Sequence, residues 1–371
     1  MRVPFLDLGA SYRELQSEIE AAVLRSLRSG WYIGGSDVES FENAYAVFTQ
    51  AQHCVGLANG LEALHLALLA LGVQPGDEVI VPSNTFIATW LAVSECGAVP
   101  VPVEPDALTC NIDASLIEAA ITARTKVIVP VHLYGKPADM DAVLAVASRH
   151  GLRVLEDAAQ AQGARYKGQR VGAHGDIVAW SFYPGKNLGA LGDAGAITTN
   201  DAALADKVRI LRNYGSRQRY VNEVQGYNSR LDPVQAAVLQ VKLAHLLEWN
   251  ERRAQVAACY AAAFADTGLL LPALPDWADP AWHLYCVRHS QRDSFRQLLT
   301  DKGVETLVHY PIPPHLQAAY ADLGYRRGDF PLAESMADSL ISLPIGPAMS
   351  NEQVAHVIAS VLASVRELAR V

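Results

Sequence analysis

Short apolar runs alternate with amphipathic stretches along the first half of the chain. The runs have the length and the bounding turns of buried strands, and most intervening stretches repeat apolar residues every three to four positions, as helices do. Strands are predicted at His53–Leu57, Val79–Val81, Val99–Val103, Val127–Val131, Val154–Leu155, Ile177–Phe182 and Ala196–Thr199. This order predicts an α/β fold whose mainly parallel sheet is covered on both faces and binds ligands beyond the carboxyl ends of its strands.

Helical patterns become longer and more frequent towards the C-terminus. Helices are predicted at Ser11–Ser29, from near Ser36, and at Leu61–Val73, Thr85–Cys96, Ala114–Ile121, Met140–His150, Leu231–His245, Glu248–Phe264, Ser294–Lys302 and Asn351–Arg370. A late strand is predicted at His283–Val287. Together with the length of 371 residues, the change in pattern predicts a large domain over residues 1–245 and a smaller C-terminal α/β domain over residues 246–371.

Composition and charge narrow the possible functions. The formal net charge of −9 disfavours nucleic acid and anionic membranes as partners. The N-terminus carries an early acid and no long apolar region, and no apolar stretch is long enough to span a bilayer. The five cysteines form no C-x-x-C motif. We therefore expect a cytoplasmic protein with reduced thiols and no metal site.

One lysine follows the strand at Ile177–Phe182 in a bend rich in glycine and small residues. Lys186 is the only charged residue between Asp176 and Asp193. Desolvation lowers the pKa of a lysine in such surroundings and makes its amine nucleophilic, as in enzymes that form Schiff bases with carbonyl compounds. An ordinary surface lysine is the more common interpretation of this feature taken alone.

Other polar or aromatic residues also follow predicted strands. Asp157 ends an apolar strand, where its carboxylate needs a partner such as a pyridinium N–H, or else caps the next helix. Asn59-Gly60-Leu61 opens a helix whose free N–H groups suit a phosphate, with Ser181 as a further donor; an ordinary strand–helix turn is the alternative. Phe86 either stacks on a ligand ring or belongs to the core.

Basic residues are concentrated between Lys207 and Arg230. The first of them, Lys207 and Arg209, are typical of a solvated helix face. Arg217, Arg219 and Arg230 belong to a loop rich in tyrosine, asparagine and glycine, which suits a pyrophosphate or carboxylate ligand. The dinucleotide-binding, P-loop, zincin and nucleophile-elbow motifs are all absent from the sequence.

Together these motifs resemble the DegT/DnrJ/EryC1/StrS family of sugar aminotransferases, which are pyridoxal 5'-phosphate enzymes of the aspartate-aminotransferase-like fold type I. The resemblance covers nearly the whole chain. Its marks are Gly76-Asp77-Glu78-Val79-Ile80, Asn84-Thr85-Phe86, Glu156-Asp157-Ala158-Ala159-Gln160, Ser181-Phe182-Tyr183 with Lys186, and Gly226-Tyr227-Asn228-Ser229-Arg230. One departure is Asn59-Gly60-Leu61, where members often read Ser-Gly-Thr, so backbone N–H groups must contribute more to phosphate binding.

The resemblance implies a role for individual residues. Lys186 would form the Schiff base with pyridoxal 5'-phosphate, and Asp157 would pair with the pyridine nitrogen. The other implied cofactor contacts are Gln160 at the phenolic oxygen, Phe86 on the ring, Gly60, Leu61 and Ser181 at the phosphate, and Asn228 reaching the phosphate from a second subunit. A homodimer with shared active sites is thereby implied. Candidate substrate contacts are Trp31, Tyr32, Tyr183, Arg217, Arg219, Tyr220, Arg230 and His309.

The runs Tyr183-Pro184-Gly185-Lys186-Asn187 and His309-Tyr310-Pro311-Ile312-Pro313-Pro314-His315 look like the subgroup that acts on dTDP-3-keto-6-deoxyhexoses. The implied reaction uses L-glutamate to make a dTDP-3-amino-3,6-dideoxyhexose. The alternatives are a C4 aminotransferase acting on a UDP- or dTDP-4-keto-6-deoxyhexose, and a cofactor-free regulatory or sugar-nucleotide-binding protein. A sugar dehydrase is less favoured, because dehydrases of this family carry histidine where Lys186 stands.

Overall fold

The computed structural model describes residues 1–369, and its strands are short. They are β1 (His53–Leu57), β2 (Glu78–Pro82), β3 (Val99–Val103), β4 (Thr125–Ile128), β5 (Arg153–Asp157), β6 (Arg165–Tyr166), β7 (Gln169–Arg170), β8 (Ile177–Ser181), β9 (Gly195–Thr199), β10 (Ser216–Gln218), β11 (Val221–Asn222), β12 (Ala278–Asp279), β13 (Tyr285–Arg288) and β14 (Leu340–Leu343).

A seven-stranded sheet in the order β1-β9-β8-β5-β4-β2-β3 forms the centre of the molecule. Neighbouring strands from β8 through β5, β4 and β2 to β3 pair in parallel, and β9 pairs antiparallel with both β1 and β8. Only β9 therefore runs against the others in this sheet. The mainly parallel α/β fold predicted from the sequence is confirmed.

The helices are α1 (Ala10–Glu14), α2 (Gln16–Ser29), α3 (Ser36–Thr49), α4 (Gly60–Ala70), α5 (Ile87–Glu95), α6 (Ala114–Ile117), α7 (Met140–His150), α8 (Ala202–Leu211), α9 (Pro233–Leu243), α10 (Leu246–Phe264), α11 (Arg292–Asp301), α12 (Pro331–Ser339) and α13 (Asn351–Leu368). Short 3-10 turns lie at Glu118–Ala120, Leu133–Gly135, Pro314–Leu316 and Ala318–Leu323. Within residues 1–369, no helix is long and apolar enough to cross a membrane.

Strand β8 illustrates how the two faces of the sheet are covered. Ile177 and Ala179 belong to the apolar core that contains α4 and α5, whereas Val178 and Trp180 belong to the core on the opposite face, with α3 and α9. Successive side chains of a strand point to opposite faces, so a continuous apolar run is required where both faces are buried.

A separate apolar core lies in the C-terminal part of the chain. It joins residues of α10, α11, α13, β13 and β14, and it includes Val3 from the N-terminus. Val3 forms a parallel bridge with Val304, and its N–H donates to the Gly303 carbonyl. The N-terminal segment thus packs on the C-terminal core. The domain boundary between residues 245 and 246 stays a prediction.

Several predicted elements are too long. The helix predicted at Ser11–Ser29 is two helices, because Leu15 leaves the helical region at φ −113°, ψ 22°. The predicted strand Val127–Val131 ends at Ile128 as β4, since the following Pro130 has no N–H for the ladder.

The helix predicted at Thr85–Cys96 begins only at Ile87, because Phe86 is extended at φ −66°, ψ 147°. The helix predicted at Ala114–Ile121 stops at Ile117 and continues as a 3-10 turn to Ala120. The last helix runs to Leu368, and Arg370, the predicted end, lies outside the described residues.

Candidate active site

The carboxyl ends of β1, β2, β5 and β8 bring the predicted site residues to one edge of the sheet. These strands run in the same direction. The turn at Asn59 and Gly60 follows β1, and the segment up to Phe86 follows β2. Asp157 and Ser181 are the last residues of β5 and β8. The topology therefore concentrates a hydroxyl, a carboxylate, an aromatic ring and a helix N-terminus in the region where open α/β sheets bind ligands.

Lys186 lies in a tight turn after β8. Its N–H donates to the Tyr183 carbonyl at 2.8 Å. Burial lowers the pKa of Lys186 from 10.5 to about 8, and the negative charge of Asp157 opposes that shift. The amine of Lys186 is therefore uncharged in a larger fraction of molecules near neutral pH than an ordinary lysine would be.

Asp157 is held rigidly at the end of β5. One carboxylate oxygen accepts from the Thr89 hydroxyl at 2.9 Å, and the other accepts from the Ala159 N–H at 3.1 Å. Burial raises the pKa of Asp157, and these hydrogen bonds and the charge of Lys186 oppose the increase. The neighbouring Glu156 is hydrogen-bonded to His132 at 2.9 Å and to the Gly175 N–H, so it does not share the surroundings of Asp157.

Gln160 connects two loops beside Asp157. Its carbonyl oxygen accepts from the Tyr134 N–H at 2.6 Å, and its amide donates to the Tyr310 hydroxyl at 3.1 Å. The Tyr310 ring lies 5.2 Å from the Phe86 ring, which is 50% exposed. A large aromatic side chain left half exposed over a polar floor could stack on a planar ligand.

The start of α4 provides an anion cradle. The Glu62 N–H donates to the Asn59 side chain at 2.9 Å, and the Ala63 N–H donates to the Asn59 carbonyl at 3.1 Å. These bonds leave the N–H groups of Gly60 and Leu61 as the open donors of the first turn. A Cβ on Gly60 would lie 2.6 Å from the Ser181 Cβ, so only glycine allows the backbone this close to Ser181.

Two histidines lie near Lys186. Burial and the charge of Lys186 lower the pKa of His309 to about 4, and its Nδ1 is hydrogen-bonded to the Ser342 hydroxyl at 2.8 Å. The pKa of His283 is lowered well below the ordinary value, mainly by burial, and His283 is hydrogen-bonded to Asn187 at 3.2 Å. Both imidazoles are therefore neutral at pH 7, and neither adds positive charge beside the lysine.

Most of the predicted substrate contacts lie elsewhere on this chain. Within residues 1–369, no side-chain hydrogen bond, ion pair or aromatic contact joins them to Lys186, Asp157, Gln160 or Phe86. This group comprises Trp31, Tyr32, Arg217, Arg219, Tyr220 and Arg230, and the same is true of Asn228, the predicted cofactor contact from a second subunit. Trp31 and Tyr32 are exposed between α2 and α3, and Tyr220 is 85% exposed between β10 and β11. Tyr183 is exposed in the Lys186 turn.

The arginines of this group have partners within the chain. Arg217 forms a bidentate ion pair with Asp206 and a contact with Glu223 at 3.3 Å, and the guanidinium of Arg219 lies over the Tyr220 ring. Arg230 donates to the Asn213 side chain at 2.9 Å. The prediction that Arg217 is open to a pyrophosphate is not supported by this arrangement, because its fork is already occupied by a carboxylate.

Sequence reasoning missed Thr89, Tyr134, Tyr310 and His283 as residues of this site. Thr89 lies three residues after Phe86 on α5, so helical spacing places it near the same strand end. Tyr310 is adjacent to the predicted contact His309. Tyr134 and His283 carry no sequence signal, because long-range packing brings them to Gln160 and Asn187.

The fold and the site together define the class of protein. A lysine with a lowered pKa, a buried carboxylate, an exposed ring and an anion cradle at the strand ends could hold a phosphorylated pyridine aldehyde, with the cradle at the phosphate and Asp157 at the ring nitrogen. This arrangement is typical of pyridoxal-phosphate-dependent aminotransferases. The chain belongs to the DegT/DnrJ/EryC1/StrS aminotransferase family, whose model matches residues 13–362. The predicted activity class and the predicted cofactor are confirmed.

The relatives include two transaminases and one protein with a regulatory name. The chain is 58% identical to "Erythromycin biosynthesis sensory transduction protein EryC1" of Saccharopolyspora erythraea, over 98% of this chain and 100% of that one. It is 54% identical to dTDP-3-amino-3,4,6-trideoxy-alpha-D-glucose transaminase of Streptomyces venezuelae, over 97% and 95%. It is 50% identical to dTDP-3-amino-3,6-dideoxy-alpha-D-galactopyranose transaminase of Aneurinibacillus thermoaerophilus, over 97% and 98%.

A solved structure supports the same assignment. The crystal structure of S. venezuelae DesV in complex with a ketimine intermediate matches with a TM-score of 0.97 and 53% sequence identity, over 98% of each chain. The aspartate-aminotransferase-like fold class predicted from the sequence is thereby confirmed.

Proposed function

We propose that this protein transfers the amino group of L-glutamate to C3 of a dTDP-3-keto-6-deoxyhexose and produces the dTDP-3-amino-3,6-dideoxyhexose. The observation that carries the proposal is the pair formed by the partly buried Lys186 and the buried Asp157 at the strand ends, whose pKa values are shifted in opposite directions. Sugar-nucleotide aminotransferase activity, the broader statement, is supported by relatives of this chain named as transaminases of dTDP-linked amino sugars. The same names support dTDP as the nucleotide of the substrate and C3 as the position that receives the amino group.

The proposed roles of Lys186 and Asp157 follow from their surroundings. When bound, pyridoxal 5'-phosphate acts as an electron sink for the carbon that loses or gains a proton. Lys186 anchors the cofactor and then carries that proton on Nζ, because its lowered pKa allows both the charged and the neutral form near pH 8. Asp157, fixed by Thr89 and Ala159, holds a proton on the ring nitrogen.

The other predicted cofactor contacts are assigned to different parts of pyridoxal 5'-phosphate. The N–H groups of Gly60 and Leu61 and the Ser181 hydroxyl bind the phosphate, and Gln160 donates near the phenolic oxygen. Phe86, which is half exposed, would stack on the ring and bury its exposed face there. Asn228 is exposed and follows β11, and in the proposed homodimer it reaches the phosphate of the partner subunit.

The sugar nucleotide is proposed to bind across the two subunits. Its candidate contacts are Trp31, Tyr32, Tyr183, Arg217, Arg219, Tyr220, Arg230 and His309. Neutral His309 can donate or accept beside Lys186 without adding charge. Arg217 would have to exchange Asp206 for a phosphate group, which makes it the weakest of these candidates. A cytoplasmic location is also part of the proposal.

The alternatives differ in chemistry. A C4 aminotransferase for a UDP- or dTDP-4-keto-6-deoxyhexose would use the same Lys186 and Asp157, and only the sugar pocket would differ. A regulatory protein is suggested by the name of the relative that is 58% identical. A regulator that only binds a ligand has no need for a lysine whose pKa is lowered to about 8, so this feature favours an enzyme.

The test is a substrate matrix with the purified protein. L-Glutamate is supplied with 3-keto and 4-keto 6-deoxyhexoses, each as the dTDP and the UDP form, and products are identified by mass and NMR. The expected result is a 3-amino product formed fastest from the dTDP-3-keto sugar, a yellow protein, and no product with Lys186→Ala. A preferred 4-keto or UDP substrate would contradict the specific proposal, and no turnover of any keto sugar would contradict the enzymatic one.

A further inference from the structure

A second cavity lies behind the Lys186 turn. Its volume is about 110 Å³, and its wall consists of the N-terminal segment, the turn around Lys186, helices α9 and α10, and the segment before α13. None of Asp157, Gln160, Phe86 and Ser181 contributes to this wall. The space, named here the α9–α10 cavity, is therefore separate from the proposed cofactor pocket, although the Lys186 turn borders both.

Two buried cationic side chains line the α9–α10 cavity. Lys242 of α9 is 3% exposed, and its Nζ donates to the Gly189 carbonyl at 2.7 Å. Arg253 of α10 is 4% exposed, and its NH1 donates to the carbonyls of Trp282, His283 and Ile345 at 3.2–3.4 Å. The buried Nε of Arg253 has no hydrogen-bond partner among residues 1–369.

No carboxylate in the described part of the chain neutralises these two cations. The only acidic side chain in the cavity wall is Asp7, and it is already paired with Arg13. Burial lowers the pKa of Lys242 to about 8 and that of Arg253 to about 10, and no anionic group opposes either shift. Buried charges are normally paired, so the cavity wall carries positive charge that a bound anion would neutralise.

We propose that the α9–α10 cavity binds a small carboxylate between Arg253 and Lys242. A guanidinium and an ammonium each form charge-assisted hydrogen bonds with a carboxylate, and both side chains line this cavity. One water molecule needs about 10–15 Å³ by the same measure of volume, so the cavity has room for a group of acetate size. The carboxylate belongs either to the amino donor or to a free small anion. In both cases it introduces a negative charge beside the Lys186 turn.

Binding is tested by thermal unfolding of the holoenzyme in sodium acetate, sodium glutamate and 2-oxoglutarate. Ionic strength is held constant with a bulky sulfonate salt. A ligand that binds only the folded protein raises the melting temperature, and the increase grows with the logarithm of the ligand concentration once that concentration exceeds Kd. We expect such an increase for the wild type with acetate, and its loss in Lys242→Gln, which keeps a donor for Gly189 but removes the charge. Arg252→Gln, a change of the neighbouring and partly exposed arginine, should respond like the wild type.

The salts distinguish the source of the carboxylate. If the Lys242→Gln change weakens the responses to acetate and to glutamate alike, the amino donor occupies the cavity. If it weakens only the acetate response, the cavity binds a free small anion. An acetate response that is absent from the wild type, or unchanged in Lys242→Gln, would overturn the proposal.

A crystallographic experiment gives an independent answer. Crystals of the holoenzyme soaked in sodium bromide should give an anomalous peak between Arg253 and Lys242. Bromide found only on the protein surface, with water alone in the cavity, would overturn the proposal. Acetate and bromide are not substrates of the proposed reaction, so failure in these two measurements is distinguishable from failure of that reaction.

Discussion

At the level of single residues, the candidate site depends on two groups. Burial disfavours the charged form of each of them. Burial lowers the pKa of Lys186 and raises that of Asp157, and the charge of each opposes the shift of the other. The site thus holds a lysine that can exist as a neutral amine and a carboxyl group suited to sharing a proton with a ring nitrogen. Titratable groups tuned in opposite directions at a strand end are typical of catalytic sites.

Replacing Lys186 with alanine should abolish turnover and leave a folded protein. No other described side chain of the site offers an amine, and the lysine side chain makes no structural hydrogen bond whose loss would unfold the turn. Steady-state transamination and the circular dichroism spectrum are measured together. Turnover by the variant without an added amine would show that another group carries the proton.

Replacing Asp157 with asparagine should retain cofactor binding but lower kcat by about 10²–10⁴-fold, the range typical of losing a positioned proton-transfer group. The amide oxygen can still accept from the Ala159 N–H and the amide NH2 can donate to the Thr89 hydroxyl, but a neutral side chain does not hold a proton on the ring nitrogen. Thr89→Val serves as a comparison, because it removes one hydrogen bond and leaves the charge. Wild-type rates in Asp157→Asn would exclude Asp157 from the site.

The amine of Lys186 should titrate near pH 8 in protein freed of its cofactor. Only the neutral amine is nucleophilic, so the rate of trinitrophenylation of the Lys186 peptide, followed by mass spectrometry, should rise with pH through a midpoint of about 8 rather than 10.5. The direction follows from burial, which disfavours the ammonium form. A midpoint near the ordinary lysine value would contradict the desolvated environment.

At the level of elements, the anion cradle depends on the close approach of the start of α4 to the end of β8. The capping bonds of Asn59 use the N–H groups of Glu62 and Ala63, so the open donors lie at Gly60 and Leu61, facing Ser181. The contact leaves no space for a side chain at position 60. A substitution there tests the geometry of the cradle without touching Lys186 or Asp157.

Replacing Gly60 with alanine should weaken retention of pyridoxal 5'-phosphate by about tenfold or more. The new Cβ would lie 2.6 Å from the Ser181 Cβ, and relieving such overpacking costs about 1–3 kcal/mol, where 1.4 kcal/mol is a factor of ten. Cofactor release is followed by absorbance during dialysis.

Gly9→Ala is the matched control for this prediction. Its Cβ would lie 2.7 Å from the end of the Arg13 side chain, which is flexible and can move away, and 3.5 Å from Asp7 Oδ1, an ordinary contact distance. Gly9→Ala should therefore retain the cofactor like the wild type. Equal retention by Gly60→Ala would contradict the proposed cradle.

The strands were predictable because both faces of the sheet are buried. A short continuous apolar run such as β8 is typical of a strand that is buried on both faces. Lys186 was recognisable because it is the only charged residue between Asp176 and Asp193. The three-stranded sheet of β12, β6 and β7 could not be predicted, since its strands are two residues long. Nor could the bond from Gln160 to Tyr310, because tertiary packing alone brings residues 150 positions apart together.

At the level of the whole molecule, the exposed aromatic residues need an explanation. Trp31 is 64% exposed, Tyr32 is 59% exposed and Tyr220 is 85% exposed. Exposed aromatic groups of this size are typical of surfaces that associate with another chain or a ligand. All three are predicted substrate contacts, and none contacts Lys186 within the described chain, which is what a site completed by a partner subunit requires.

The shared site can be tested by mixing two inactive variants. One is Lys186→Ala, and the other is a double change of Asn228 and Arg230 to alanine. If Asn228 and Arg230 serve the partner's site, a mixed dimer has one site with both lesions and one site with none. Sedimentation must first show that each variant is still a dimer, because the Arg230 bond to Asn213 also supports the loop itself.

The expected recovery follows from symmetry. Random exchange makes about half of the dimers mixed, and each mixed dimer has one intact site of two, so activity per total site should reach roughly a quarter of the wild-type value. Mixing Lys186→Ala with Asp157→Asn is the control. These two residues interact within one chain, so every site in that mixed dimer carries a lesion and no activity should return. If mass spectrometry confirms exchange in the first mixture and activity stays absent, Asn228 and Arg230 do not serve the partner's site.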